Sequence, residues 1–330
     1  MKRVAALLAA ALLTGALAGC GGGGAEPGAP KGATLVLDFT PNAVHSGIYA
    51  AQANGYFKDE GIDLHIQEPS STADSAKLLE TGRADFAVMD INDFGIARER
   101  GFDLAALASV VQRPLAAVIA GDRDEIRSPA DLAGKTIGVT GVPSDDAVLD
   151  TVLRAGGVDP SSVHRVTIGF NAVADLAAGK VDAATAFWNA EGVELQQQDV
   201  PIREFRVDEL GAPQYPELVI AVSHRACPIE RAYASGLSQG YLEIARHPNS
   251  AVGDLLEEVP GLDIDSQQAQ FNALIRGHAF TRAGAVDQID DEPPLDLGIK
   301  WLGWAIRNGL ISPDARSQVA AGFHPGEFCG

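Results

Sequence analysis

The chain is poor in basic residues, aromatic residues and cysteine. Its 330 residues include 25 Lys and Arg against 44 Asp and Glu, a net charge of −19. Such a field repels phosphate backbones and anionic lipid, so the composition argues against a nucleic-acid-binding or membrane-surface protein. The three cysteines and seven histidines have no zinc-site spacing, and no metal or cofactor is expected. The chain also lacks nucleophile-elbow and P-loop motifs, which disfavours an enzyme.

The chain does contain enough apolar material for a large core. Hydrophobic residues make up 46% of it, with 36 glycines and 18 prolines, which is typical of a packed globular protein. The length suits two lobes of ordinary domain size better than one compact domain.

The first 33 residues predict export and anchoring. A basic pair and an apolar run too short for a comfortable transmembrane helix precede Leu17-Ala18-Gly19-Cys20, which resembles a bacterial lipobox. We therefore expect a signal peptide over 1–19, and a lipidated Cys20 with a flexible tether over 20–33. The mature chain would then lie on the extracytoplasmic face of the cell membrane, held there through the lipid alone. The alternative is an ordinary cleaved signal peptide with a chance cysteine.

Two blocks of the chain alternate between apolar runs of strand length and helical patterns. This rhythm predicts parallel α/β sheets with right-handed crossovers. The predicted strands of the two blocks are 34–39, 62–67, 84–89 and 135–140, with a further strand over 217–222. A mostly helical tail follows, and it can pack back on the first lobe. We expect lobe 1 to comprise 34–117 and 222–330, and lobe 2 to comprise 118–221.

A short pattern occurs once in each block. Gly82 and Gly179 each stop a helix and precede a basic residue and an aspartate between apolar residues. Alignment of the two patterns places Asp90 opposite Phe187. We expect these two residues to lie at equivalent strand ends of opposing lobes, facing each other across a cleft.

Two cysteines remain beyond the predicted lipidation site. Cys227 and Cys329 can form one disulfide that pins the C-terminal tail, or stay as two buried thiols. Spacing alone does not decide between these alternatives.

Several stretches of the chain resemble one known family. They are Leu37-Asp38-Phe39-Thr40-Pro41-Asn42, His45, Gly47, Tyr49, Ala51, Gly55-Tyr56-Phe57, Glu60-Gly61-Ile62, 78–86, 128–139 and Phe187-Trp188-Asn189-Ala190-Glu191-Gly192. The sequence is similar to the thiamine-pyrimidine group, which contains substrate-binding proteins of ABC importers and a related fungal pyrimidine synthase. Phe39 stands where pyrimidine binders often have tryptophan.

The resemblance implies an α/β, two-lobe periplasmic-binding-protein fold of type II. Its lobes are joined by a two-segment hinge, and the ligand lies in the cleft between them. Such proteins close around their ligand and present it to an ABC permease. We expect a monomer whose partners are the permease subunits and a small ligand, with no nucleic acid.

Ligands of open α/β sheets lie at the carboxyl ends of the strands, and this rule selects the candidate site residues. The predicted ligand-binding residues are Asp38, Phe39, Asn42, His45, Ser71, Asp90, Ser144, Asp145, Trp188, Asn189, Glu191 and Tyr215. The strand-end loops are acidic and lack Lys and Arg, which favours an amine-bearing ligand over a sulfonate or nitrate. Phe39 and Trp188 offer faces for stacking, and Glu191 is the preferred polar anchor.

Several of these residues have structural alternatives. Asp38 can cap a turn, His45 can merely hydrogen-bond the helix that it precedes, Asp145 can be an ordinary helix-start acid, and Trp188 can be a core residue.

The predicted function is capture of an aminopyrimidine precursor of thiamine for import. Riboflavin or another flat heterocycle is an alternative ligand, and taurine, alkanesulfonates and nitrate fit the acidic loops less well. A synthase-like enzyme is a further alternative, although the chain has no counterpart of that enzyme's cysteine-rich iron-binding segment.

Overall fold

The computed structural model describes residues 31–69, 74–121, 126–280 and 295–330. These residues form two α/β lobes, each built on a five-stranded sheet. The expected signal peptide, Cys20 and Ser71 lie outside the described residues. Residues 31–33 of the expected tether belong to the first strand instead, because Lys31 already pairs with Ile62.

The sheet of lobe 1 has the order β2-β1-β3-β10-β4. Its strands are β1 (Lys31–Val36), β2 (Ile62–Gln67), β3 (Phe86–Asp90), β4 (Ala105–Val111) and β10 (Leu218–Val222). β1 is parallel to β2 and β3, whereas β10 runs antiparallel to both β3 and β4. The expected parallel arrangement is thus found for β1, β2 and β3. β10, which enters from the other lobe, runs in the opposite direction.

The sheet of lobe 2 repeats this plan in the order β7-β6-β8-β5-β9. Its strands are β5 (Ala116–Gly121), β6 (Thr136–Val139), β7 (His164–Thr167), β8 (Ala183–Phe187) and β9 (Ile202–Arg206). Here β5, which enters from lobe 1, is the strand that runs antiparallel to its neighbours β8 and β9.

Helices cover the two sheets. In lobe 1 they are α1 (Ser46–Ala53), α2 (Tyr56–Asp59), α3 (Asp74–Glu80), α4 (Ile91–Glu99), α8 (Glu230–Arg246), α9 (Pro248–Glu258), α10 (Ile264–Arg276), α11 (Leu295–Arg307), α12 (Arg316–Ala321) and α13 (Pro325–Cys329). In lobe 2 they are α5 (Ser144–Ala155), α6 (Ala172–Ala177) and α7 (Glu191–Gln197). None of the helices in the described ranges is long and apolar enough to cross a membrane.

The repeated glycine-aspartate pattern has the same structure in both lobes. Gly82 and Gly179 both adopt positive φ, at 66° and 68°. The carboxylate of Asp85 accepts a hydrogen bond from the Thr34 amide at 2.8 Å, and Asp182 does the same for the Thr136 amide at 2.8 Å. Each aspartate thereby ties the entry of one strand to its neighbour.

The chain crosses between the lobes at 112–115 and 207–217. Pairing of β5 begins at Ala116 with Phe187, and pairing of β10 begins at Leu218 with Asp90. The expected lobe borders at 117/118 and 221/222 therefore fall inside strands and move by a few residues. Both segments lie close together, because β4 and β10 are neighbours in the first sheet and β5 leads directly into the second.

A disulfide joins Cys227 and Cys329, whose Cα atoms are 5.1 Å apart. Beside it, the rings of His224 and Phe328 stack with centroids 3.8 Å apart. Of the two alternatives left open by spacing, the structure has the disulfide, which fixes the C-terminal helix to the segment before α8.

Candidate ligand-binding cleft

Two exposed aromatic side chains meet across the gap between the lobes. Phe39 follows β1 of lobe 1 and is 47% exposed, and Phe170 follows β7 of lobe 2 and is 71% exposed. Their ring centroids are 6.1 Å apart with the planes inclined at 42°. Both lie at carboxyl ends of parallel strands, where ligands of such sheets bind. Phe170 was not among the predicted residues.

Asp38 lies beside Phe39 and is oriented by a buried histidine. The amide of Asn42 donates to His45 Nδ1 at 3.1 Å, so this nitrogen carries no proton. Nε2 of His45 is therefore the protonated nitrogen and donates to Asp38 Oδ1 at 2.7 Å. Within the described residues, Asp38 Oδ2 has no partner, which leaves one carboxylate oxygen for a ligand.

His45 and Asn42 support this turn and do not offer polar groups to the cleft. His45 is fully buried and both ring nitrogens are used. The Asn42 side chain accepts from the Val44 amide and donates to the Thr40 carbonyl. Their expected direct ligand contact is corrected to a positioning role, because their hydrogen-bonding groups are already engaged locally.

Three carboxyl groups of lobe 1 form an acidic group: Asp38, Asp90 and Asp93. The pKa of Asp93 is raised to about 7, chiefly by burial and also by the nearby Asp90 and Asp38, while Arg100 opposes this. Burial also raises the pKa of Asp90, against the lowering effect of its hydrogen bonds with Glu217 and Asn92. Because Asp93 forms no hydrogen bond within the described ranges, it is an unfilled acceptor next to Asp38.

Glu217 joins this acidic group to both crossover segments. It is buried, and its Oε2 accepts from the Leu115 amide at 2.5 Å, on the first crossover. Burial and the adjacent Asp90 raise the pKa of Glu217 well above its usual range. The side chains of Glu217 and Asp90 are hydrogen-bonded to each other, and this bond raises the pKa of Glu217 and lowers that of Asp90. We therefore assign the proton between them to Glu217, which donates it to the Asp90 carboxylate. Glu217 was not predicted, because the sequence does not indicate that the two crossovers meet.

Asp145 of lobe 2 is buried within its own loop. Its carboxylate accepts from the Thr140 hydroxyl at 2.9 Å, the Gly141 amide at 2.6 Å, the Val142 amide at 3.1 Å and the Thr185 hydroxyl at 2.8 Å. Its acceptor positions are therefore filled by the protein. The expectation of ligand contact is corrected in favour of the structural alternative. Ser144, the first residue of α5, stays half-buried beside it.

Asn189 and Glu191 follow the end of β8, as predicted. Asn189 is 2% exposed, and within the described residues its Oδ1 has no hydrogen-bond partner. Glu191 begins α7 and accepts from the Phe187 amide at 2.9 Å. Burial raises the pKa of Glu191, and its bond to the Phe187 amide partly offsets that effect. An unpartnered buried amide oxygen is costly, so Asn189 is the stronger candidate for a ligand contact.

Trp188 and Tyr215 are core residues near the crossovers. Trp188 is 1% exposed, its Nε1 donates to the Pro114 carbonyl at 3.0 Å, and the Arg206 guanidinium lies 4.2 Å from its ring centroid. Tyr215 is fully buried, with its ring 5.7 Å from that of Trp304. The expected stacking role of Trp188 is corrected, because distant segments cover its faces. Tyr215 lies in the second crossover and packs in the core.

The cleft therefore presents acidic groups and an aromatic face from lobe 1, and an aromatic face and an amide from lobe 2. Such a site can stack a flat ring and accept hydrogen bonds from its amino groups. No group of three or more His, Cys, Asp or Glu suited to a metal ion occurs in the described part of the chain.

Sequence and structure comparisons agree with this architecture. The family model described as NMT1/THI5 like matches residues 42–251. The chain belongs to the NMT1/THI5-like family. A relative, the formylaminopyrimidine-binding protein of Halalkalibacterium halodurans, is 33% identical over 227 residues, covering 67% of this chain and 69% of that protein.

Other relatives in the family have enzyme names. The 4-amino-5-hydroxymethyl-2-methylpyrimidine phosphate synthase of Legionella pneumophila is 28% identical over 178 residues, covering 54% of this chain and 56% of that protein. The relatives of this chain thus include proteins named as binding proteins and proteins named as synthases.

Solved structures establish the fold. The periplasmic aliphatic sulphonate binding protein SsuA from Escherichia coli superimposes with a TM-score of 0.70 at 13% identity, covering 88% of this chain and 92% of that one. The predicted two-lobe periplasmic-binding-protein fold is confirmed, and identity at this level carries no information on the ligand.

Proposed function

We propose that this chain is the solute-binding protein of an ABC importer and that it captures an aminopyrimidine precursor of thiamine. The observation that carries the proposal is Oδ2 of Asp38, a carboxylate oxygen that has no partner among the described residues and lies beside an aromatic pair contributed by both lobes. This arrangement suits a flat ring with amino substituents. The name of the Halalkalibacterium halodurans relative supports the same ligand class.

The proposed contacts divide between the lobes. In lobe 1, Asp38 and Asp93 accept hydrogen bonds from ligand amino groups, and Asp90 fixes the start of α4 beside them through its bond to the Asn92 amide. In lobe 2, Asn189 supplies an amide, with Glu191 at the same strand end. Phe39 and Phe170 enclose the ring. Their present centroid separation of 6.1 Å requires a small opening, since two stacked layers need about 7 Å.

Ligand contacts with both lobes favour the closed arrangement of an open-closed equilibrium. The crossover segments 112–115 and 207–217 form the proposed hinge. Glu217 links them through its bond to the Leu115 amide. The closed form then docks on a membrane permease.

Calorimetric titration tests the ligand assignment. The purified protein is titrated with hydroxymethyl-aminopyrimidine, its formylamino analogue, riboflavin and taurine. Saturable binding of the pyrimidines alone is expected, because the acidic group of lobe 1 repels the sulfonate of taurine. Binding of riboflavin alone would keep the importer role and overturn the ligand. Binding of taurine alone would contradict the charge argument.

A synthase activity is the second candidate, because several family members have that name. It is tested by incubating the protein with the cofactors and metal that synthase assays use and analysing the mixture for a pyrimidine phosphate. The importer proposal expects no product above a denatured-protein control. Formation of a pyrimidine phosphate would contradict the importer proposal and support the synthase.

We also propose that Cys20 is lipidated and holds the mature chain on the extracytoplasmic side of the membrane. Cell fractionation with Cys20→Ser as the comparison tests this. The unchanged chain is expected in the membrane fraction and the variant in the soluble fraction. Equal distribution would contradict the anchor.

A further inference from the structure

A second pocket lies at the junction of the lobes beside β9. Its volume is about 550 Å³, and its walls come from α7 and β9 of lobe 2 and from the end of α10 of lobe 1. Gly277 closes α10 against Trp188, where an added Cβ would lie 2.5 Å from the indole ring. The pocket is thus built by close packing between the two lobes.

The pocket is separate from the aromatic pair of the cleft. Phe170 follows β7 at one edge of the second sheet, whereas β9 forms the opposite edge. With neighbouring strands about 4.8 Å apart, four spacings place these edges about 19 Å from each other.

The pocket is basic, although the chain as a whole carries a net charge of −19. Its lining includes three guanidinium groups, on Arg203, Arg206 and Arg276, and one carboxylate, on Glu204. Three cations against one anion leave a net positive charge at the lobe junction. Such a concentration in an acidic protein favours an anionic occupant.

Arg206 is held in a fixed orientation. Its guanidinium stacks on the Trp188 ring at 4.2 Å, and its Nε and Nη2 both donate to Glu204 Oε2, at 3.1 and 2.8 Å. Among the described residues, its Nη1 has no partner. A preorganised guanidinium loses little freedom when it binds a phosphate or carboxylate.

Arg276 approaches from the other lobe. It is exposed in the last turn of α10, and it has no ion pair within the described ranges. An anion placed between Arg276 and Arg206 would therefore receive charge-assisted hydrogen bonds from both lobes.

We propose that this pocket is a second ligand site, for a small polyanion carrying phosphate or carboxylate groups. The test titrates the ligand-free protein with pyrophosphate and with citrate at constant ionic strength. Saturable binding of one or both probes at one site per chain is expected, and the better probe identifies the anion class. Absence of saturable binding for both would overturn the proposal.

Single arginine substitutions test whether the anion binds in this pocket. Arg276→Gln is expected to weaken the bound probe about tenfold, the loss typical of one charged hydrogen bond. Arg246→Gln is the matched control, because Arg246 is also an exposed arginine in the last turn of a long helix of lobe 1. It should change affinity less than twofold. Equal weakening by both variants would mean general charge attraction and would overturn the site.

A cleft variant separates this result from the proposed function. Phe170→Ala should leave pyrophosphate and citrate affinity unchanged, and a large loss there would place the anion in the cleft and overturn the proposal. No pyrimidine enters the experiment, so failure of the importer proposal leaves its result unaffected.

Discussion

The two lobes share a strand plan but use their polar side chains differently at the cleft. In lobe 1, Asp38 Oδ2 and the Asp93 carboxylate have no hydrogen-bond partner within the described residues, whereas Asp145 of lobe 2 is filled by four donors of its own lobe. The amides show the reverse. Asn92 Oδ1 accepts from Trp301 Nε1 at 3.0 Å, while its aligned counterpart Asn189 has a buried oxygen without a described partner.

The repeated fold therefore determines where the strands end, but it does not determine which polar groups at those ends are free to bind a ligand. A carboxylate near a cleft is a ligand candidate only if its acceptor positions are not used by its own loop. Lobe 1 then supplies the negative charge and lobe 2 supplies a neutral amide, and one ligand must satisfy both.

Substitution of Asp145 tests its structural role, and it should lower stability more than any other change considered. Asp145→Ala leaves four donors without their acceptor, and unfolding free energy should fall by about 3 kcal/mol. Urea unfolding measures it. Asp146→Ala is the control, because Asp146 is exposed and its ion pair with Arg165 contributes about 1 kcal/mol or less. A stable Asp145→Ala protein with strongly reduced pyrimidine affinity would return Asp145 to the ligand site.

Substitution of Asp38 tests whether the acidic side of the cleft contacts the ligand. Asp38→Asn keeps an oxygen that accepts from His45 but removes the charge facing the ligand. Pyrimidine affinity should fall by about 1.5 to 3 kcal/mol, measured by calorimetry. Asp63→Asn removes the same charge from an exposed position on β2 and should leave affinity unchanged. Equal losses in both variants would indicate a long-range field in place of a contact.

The fold was largely predictable from the sequence because apolar runs, helix-stopping glycines and their repetition are local signals. Gly82 and Gly179 predicted two equivalent units, and Asp85 and Asp182 make equivalent bonds. The direction of the crossover strand β10 was not predictable, since an apolar run looks the same in either orientation. β10 is antiparallel because of where the chain enters the sheet, which is a property of the whole topology.

The site was predictable in position but less so in detail. Asp38 and Phe39 lie after the end of β1, where the sequence pattern placed them, whereas burial of Trp188 depends on Pro114 and Arg206 from separate segments. Phe170 was missed because its strand was not predicted.

A third, smaller effect tests whether lobe 2 contributes an aromatic face. Phe170→Ala should weaken pyrimidine binding about fivefold, since one aromatic contact contributes about 1 kcal/mol. Val166→Ala truncates another exposed apolar residue of lobe 2, on β7, and should have no effect on affinity. Indistinguishable affinities for Phe170→Ala and the unchanged protein would leave stacking to lobe 1 alone.

The smallest effect concerns the pH dependence of stability in lobe 1. The pKa of Asp93 rises from 3.8 to about 7 on folding, so the folded chain binds its proton more tightly than the unfolded chain. As pH rises from about 4 to about 7, the unfolded state loses this proton first, and the free energy of unfolding falls with pH.

The variant Asp93→Asn should make that slope shallower, as measured by urea unfolding at several pH values. Asp63→Asn, on the exposed face of β2, serves as the charge-matched control. Asp90 and Glu217, whose pKa values are also raised by burial, keep part of the slope in the variant. An unchanged slope in Asp93→Asn would mean that Asp93 is solvated like an ordinary surface acid, which would contradict its assignment as a buried acceptor of lobe 1.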